Sequence, residues 1–134
     1  MSVQERKQRE RAVRERLIVE TARELAEQQG WGAVTTRRLA ERIEYSQPVL
    51  YSHFRGKREI IGAVATEGAA ELAATVRAAT AAAAGPRARV AALARAYLAF
   101  AAHRPAVYDA LFRLDGGLAF AQEATPEPLK DAFA

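Results

Sequence analysis

The chain has 134 residues, half of them apolar, which excludes global disorder and leaves room for one domain or for a small head joined to part of a second. It contains no cysteine, so disulfides, thiolate metal sites and a cysteine nucleophile are excluded together. The formal net charge is +4, the start MSVQERKQRERAVRER is charged, and no uninterrupted apolar run approaches the roughly 18 residues of a membrane span, so a cytoplasmic protein with no membrane partner is expected.

Residues 1–11 mix Arg, Lys, Glu and Gln with hardly an apolar side chain, and such a segment either frays or extends the first helix as a polar arm. From about Ala12 the residues Val13, Leu17, Ile18, Thr21, Ala22, Leu25 and Ala26 recur on one helical face. Gly30 and Gly32 stop that helix around Trp31, which reads as a core plug, an interface role being the alternative. A short helix follows Thr35 and Thr36, an N-cap and an early hydroxyl, with Leu39, Ala40 and Ile43 as its apolar stripe. Glu44 and Tyr45 carry a turn. Ser46 is a second N-cap, and Pro48 falls in the first helical turn, where its missing N–H costs nothing. In this second short helix Val49, Leu50 and Phe54 are expected to face inwards, leaving Gln47, Tyr51, Ser52 and His53 outside.

Past Arg55-Gly56-Lys57, the residues Ile60, Ile61, Val64, Ala65, Gly68, Leu72 and Val76 mark a long helix over about 57–80, which reads as a mechanical link between a head and a second layer. Gly85-Pro86 punctuates the chain, and Pro86 starts a helix with Val90, Leu93, Ala94, Tyr97, Leu98 and Ala101 on one face, closed by His103-Arg104-Pro105. A further short helix holds Val107, Tyr108, Leu111, Phe112 and Leu114 and ends at Asp115-Gly116-Gly117; Leu129 to Ala134 could begin another. With no repeat and no strand alternation, the chain reads as all-α.

Catalytic chemistry finds little support. His53 and His103 are 50 residues apart and lie in no metal-binding spacing, Gly116-Gly117 has no phosphate-loop context, and GxSxG is absent. The expectation is no enzyme, no metal and no cofactor. The charge points elsewhere. Residues 1–60 hold 13 Lys and Arg against 9 Asp and Glu, residues 61–134 hold 7 against 7, and a basic head on a neutral body suits nucleic acid, a solvated face being the bland alternative.

Two short helices around a tight turn over Thr35–Phe54 are the arrangement that lays one helix in the DNA major groove. Ser46, Gln47, Pro48 and Val49 occupy the turn that meets base edges; Gln47 can pair bidentately with adenine, while Pro48 and Val49 offer apolar contact to a thymine methyl. Tyr51, His53 and Lys57 have the chemistry to hold phosphates, with helix N-termini after Thr35 and Gly56 adding N–H donors. For His53, packing against the first helix stays open beside the phosphate role.

The stretch TTRRLAERIEYSQPVLYSHFRGKREII also resembles the DNA-binding head of the TetR/AcrR family of one-component transcriptional regulators, above all in Leu50-Tyr51-x-His53-Phe54 followed by Lys57-x-Glu59-x-Ile61. The resemblance covers about residues 12–62, and AYLAFAAHRPAVYDALF is more weakly similar to the family's regulatory domain. It implies a three-helix head with a helix-turn-helix over residues 1–56, joined by a long helix to a partial helical regulatory domain over 57–134. Thr36, Tyr51, His53 and Lys57 match the family's phosphate-binding positions, and Ser46, Gln47, Pro48 and Val49 the base-facing or adjacent ones. One departure stands out: the family's turn usually reads Gly-Val-Ser, and here it reads Glu44-Tyr45-Ser46.

By the same resemblance the protein is a homodimeric, ligand-responsive repressor on a pseudo-palindromic double-stranded DNA operator. An unidentified small-molecule effector would sit among Tyr97, Phe100, His103, Tyr108, Leu111 and Phe112, residues that otherwise read as ordinary core. The family's dimer surface usually comes from its last two long helices, which Ala134 precedes, so a shortened version of a longer protein is expected, a different assembly being the alternative. The rival reading is a helical small-molecule-binding or protein-interaction module that has lost specific DNA binding.

Overall fold

The computed structural model describes residues 2–114. In order these form α1 (Val3–Gln29), a 3-10 turn (Trp31–Ala33), α2 (Thr36–Ile43), α3 (Gln47–His53), α4 (Lys57–Ala81), α5 (Pro86–His103) and α6 (Pro105–Phe112), with no strand among the described residues. The fold is all-α, as the helical spacing predicts. The expected helix over Leu129–Ala134 lies outside the described residues.

The polar arm is helical from its start. Ser2 Oγ accepts the Glu5 N–H at 3.1 Å and Glu5 Oε2 accepts the Ser2 N–H at 3.3 Å, a reciprocal capping box that satisfies two donors otherwise left free at a helix start. At 27 residues α1 is about 40 Å long, yet its first buried side chain is Ile18. Val13 and Leu17, expected on the buried face, are exposed because they lie about 100° or more around the helix from the line of Ile18, Ala22 and Leu25 that packs. Gly30 ends α1 at φ 85°, outside the range of an ordinary side chain, and its N–H bonds the Ala26 carbonyl.

The chain divides into two compact units between Ile60 and Ile61, just after the start of α4. In the first, α1 packs against α2 and the 3-10 turn, and α2 packs against α3. Ile18, Leu25, Val34, Leu39, Leu50 and Ile60 are fully buried there, each contributing about 1.5–3 kcal/mol of apolar burial. Trp31 is buried too, in keeping with a core plug.

In the second unit, among the described residues, the buried side chains are Ile61, Val64, Ala65, Ala69, Leu72 and Ala73 of α4, Ala92 and Phe100 of α5, and Ala106, Val107, Ala110 and Leu111 of α6. Gly68 of α4 lies against Val107 of α6: a Cβ there would stand inside the Val107 side chain, so glycine allows the approach of the two helices. Arg104 closes the same side with an ion pair to Glu71 at 3.0 Å. The apolar face predicted for α5 is not the face that it buries. Val90 and Leu98 are 67% and 69% exposed, and Leu93 is exposed as well, whereas α5 packs through Phe100 at the edge of that face and Ala92 on nearly the opposite side.

Candidate nucleic-acid interface

The expected helix pair forms, and each of its helices is capped by the predicted residue. Thr35 Oγ1 accepts the Arg38 N–H at 3.1 Å to start α2, and Ser46 Oγ accepts the Val49 N–H at 3.3 Å to start α3. Between them Glu44 adopts the left-handed conformation (φ 60°, ψ 32°), and the Tyr45 N–H reaches back to the Ala40 carbonyl at 3.0 Å, closing the last turn of α2. The left-handed region costs a side-chain-bearing residue about 1–2 kcal/mol, and glycine offsets that at a backbone-entropy cost of about 0.5–1 kcal/mol. Glu44→Gly is therefore expected to raise stability by about 0.5–1 kcal/mol, read as a higher urea midpoint at unchanged slope; a midpoint that stays or falls would show that Glu44 carries no strain.

α3 is only seven residues long, too short to hold itself together, and ties to its neighbours fix it. Leu50 is fully buried beneath it. The Tyr51 hydroxyl lies 3.2 Å from Thr36 Oγ1 at the start of α2. Arg11 of α1 donates from Nη2 to the Ser52 carbonyl at 2.9 Å, satisfying a terminal acceptor of α3. The outward side carries Gln47, Pro48, Val49 and Tyr51, the last two 38% and 48% exposed. Val49, expected to face inwards, is thus on the open side, because Leu50 alone takes the buried position of that turn; Phe54 is half-buried.

Two predicted phosphate contacts sit differently. The His53 side chain is 2% exposed, with Nδ1 3.2 Å from Glu15 Oε1, and Arg11 Nε holds the same oxygen at 3.1 Å. His53 therefore packs towards α1, the alternative left open by its sequence, and is not on the exposed set. Lys57 Nζ donates to the Trp31 carbonyl at 2.5 Å, tying the start of α4 to the 3-10 turn; an ammonium has three donors, so two remain for a phosphate. Thr36 is half-buried and engaged with Tyr51, whereas Ser46 is exposed beside its capping bond. Arg11 and Glu15 were absent from the sequence-derived set. Their four-residue spacing advertises an ordinary helical ion pair, and only the fold brings them to α3.

Elsewhere, Arg38 bonds the Ala33 carbonyl at 3.2 Å and Gln29 Oε1 at 3.1 Å, and Arg42 bonds Gln28 Oε1 at 3.3 Å, binding α2 to the end of α1. Among the described residues no cluster of His, Asp and Glu could hold a metal ion, and no helix is long and apolar enough to cross a membrane.

This geometry coincides with a sequence match. Residues 18–64 match the model of the bacterial regulatory proteins of the tetR family. The similarity is to the N-terminal domain of that family. The match spans the capped pair α2–α3 and the beginning of α4, the helix-turn-helix segment that the residue chemistry singles out. Curated relatives agree over the same length. The tetracycline repressor protein class C of Escherichia coli is 48% identical over 48 residues, which is 36% of this chain and 22% of the repressor. The class G repressor of Vibrio anguillarum is 40% identical over 47 residues, 35% of this chain and 22% of its own length. The chain therefore spans about a fifth of each repressor in these matches. The crystal structure of SCO4313, described as a regulatory protein, is similar with a TM-score of 0.71 and 28% identity, covering 95% of this chain and 61% of that one.

In the second unit, the residues read as a pocket separate into two groups. Tyr97, Tyr108 and Phe112 form an aromatic cluster, with ring centroids 5.0 Å apart for Tyr108–Phe112, 5.8 Å for Tyr97–Phe112 and 6.4 Å for the edge-on Tyr97–Tyr108 pair. Burial, and secondarily the neighbouring Tyr108, raises the Tyr97 hydroxyl above its ordinary pKa. Phe100 and Leu111 are buried core, and His103 is exposed with Nδ1 2.8 Å from the Ala99 carbonyl.

Proposed function

We propose that the protein is a transcriptional regulator that binds a pseudo-palindromic operator as a homodimer, inserting the N-terminal turn of α3 into the major groove. The observation that carries this reading is the exposed Gln47-Pro48-Val49 turn on a helix pinned by Leu50, Tyr51 and Arg11, within the stretch that matches the tetR-family model. A rigidly held helix with a polar, adaptable N-terminal turn is what direct base readout needs. Repression is the proposed direction of control because the curated relatives that match this head are named repressors. A small-molecule effector is proposed for the helical part from residue 57 onward, near Tyr97, Tyr108 and Phe112; its identity is left open, since the repressor matches span only about 50 residues. The apolar face of α5 left open at Val90, Leu93 and Leu98 supports association with further protein surface.

Titration with the DNA upstream of its own coding region tests the reading. Binding at matched salt should exceed that to random duplex by about a thousandfold or more. Equal affinity for the two would favour a helical binding module without operator recognition. Gln47→Ala should shift the sequence preference at one base pair, with about 1–3 kcal/mol of discrimination lost there. A selection of bound sequences from random DNA that returns the parent motif would remove Gln47 from the readout.

A further inference from the structure

The overhanging half of α1 is not a uniformly mixed charged helix. The stripe that buries Ile18, Ala22 and Leu25 continues towards the N-terminus, at three- and four-residue spacing, as Arg14, Arg11, Lys7 and Gln4. The acids of this segment lie off that line: Glu5 and Glu10 are about 140° and about 80° from it, and Glu15 at its edge is occupied by Arg11 and His53. Gln4, Lys7, Arg11 and Arg14 are all exposed. The stripe is also placed. Arg11 is bonded to the Ser52 carbonyl at the C-terminal end of α3, so the basic line begins beside the helix proposed to enter the groove and continues past its end.

We propose that this face of α1 is a second DNA-binding surface, with Lys7 and Arg14 holding phosphates of the duplex backbone that flanks the base pairs read by α3. The inference rests on the DNA-binding reading of the head and extends it beyond the helix pair. A groove-bound helix is bordered by phosphates, and a cationic rod clamped to its end by Arg11 meets charge of the opposite sign there. A capping box at Ser2 and Glu5 keeps the rod helical without help from a core, so its charges are already arranged before DNA arrives. The surface gives affinity and register, not sequence preference, because it offers phosphates nothing but charge.

The test uses the full chain with Lys7 and Arg14 both changed to Gln, and Arg9→Gln as a comparison. Arg9 projects from the opposite side of the helix. The double variant should keep its helical circular dichroism and its selected DNA motif, while the slope of log affinity against log salt falls by about two. Between about 50 and about 200 mM salt it should then lose roughly tenfold less affinity than the parent. Arg9→Gln should leave the slope nearly unchanged. A parent-like slope in the double variant overturns the proposal, and so does an equal effect from Arg9→Gln, which would indicate diffuse charge. The slope is measurable on random duplex too, so a parent that fails to discriminate its operator refutes the regulator reading and still leaves the arm tested.

Discussion

Leu50→Ala should destabilise the head by about 2–5 kcal/mol and lower operator affinity far more than its own lack of DNA contact suggests. Leu50 is fully buried and is the apolar anchor of α3. Truncating it removes three carbons' worth of apolar contact and leaves a void that the neighbouring helices fill only in part. The remaining ties of α3, the Thr36–Tyr51 hydroxyl contact, the Arg11 bond to Ser52 and the His53–Glu15 contact, are polar and worth on the order of 1 kcal/mol each. They cannot compensate. Chemical denaturation should show the midpoint drop, and DNA titration at a temperature where the variant is still folded should show weakened binding with a blurred sequence preference, since α3 is then held less rigidly. An unchanged midpoint would mean that α3 docks through its polar ties alone.

Lys57→Ala should act in two separable ways. Loss of the charge-assisted, part-buried bond to the start of the 3-10 turn should cost about 1–2 kcal/mol of stability, because the Trp31 carbonyl loses its side-chain partner. Loss of a phosphate contact should reduce the salt slope of DNA binding by about one. Lys57→Gln separates them. An amide keeps a donor for the Trp31 carbonyl and so should recover part of the stability, yet it carries no charge and should show the same reduced slope. If both variants keep the parent slope, Lys57 is a structural tie only, and the phosphate role belongs to Tyr51 and the backbone donors.

His53 and Lys57 illustrate which part of the interface was legible in advance. Their types and spacing relative to Tyr51 mark the helix-turn-helix head, but a side chain that can hold a phosphate can equally hold a carboxylate or a carbonyl. Glu15, 38 residues upstream, and the Trp31 carbonyl, 26 residues upstream, claimed them. The turn was legible to the residue: Glu44 stands where the backbone needs a positive φ, and it adopts one at a strain that glycine would avoid. On α5, periodicity identified an apolar face correctly as a face and wrongly as the buried one. Hydrophobic spacing reports which residues share a side of a helix, and neighbours decide whether that side is covered.

By itself, the sequence determined the helices, their caps at Thr35 and Ser46, the glycine stop at Gly30, the proline start at Pro86 and the polar turn from Ser46 to Val49. These follow from interactions within a few residues of one another, where side-chain chemistry acts directly on the local backbone. Only the tertiary structure decided that α1 overhangs its core, that Arg11 and Glu15 reach α3, that His53 is buried, and that Gly68 admits Val107. Those outcomes depend on contacts between residues 38 to 41 positions apart in two or more cases, and on which of several chemically suitable partners the packing brings within hydrogen-bonding distance first.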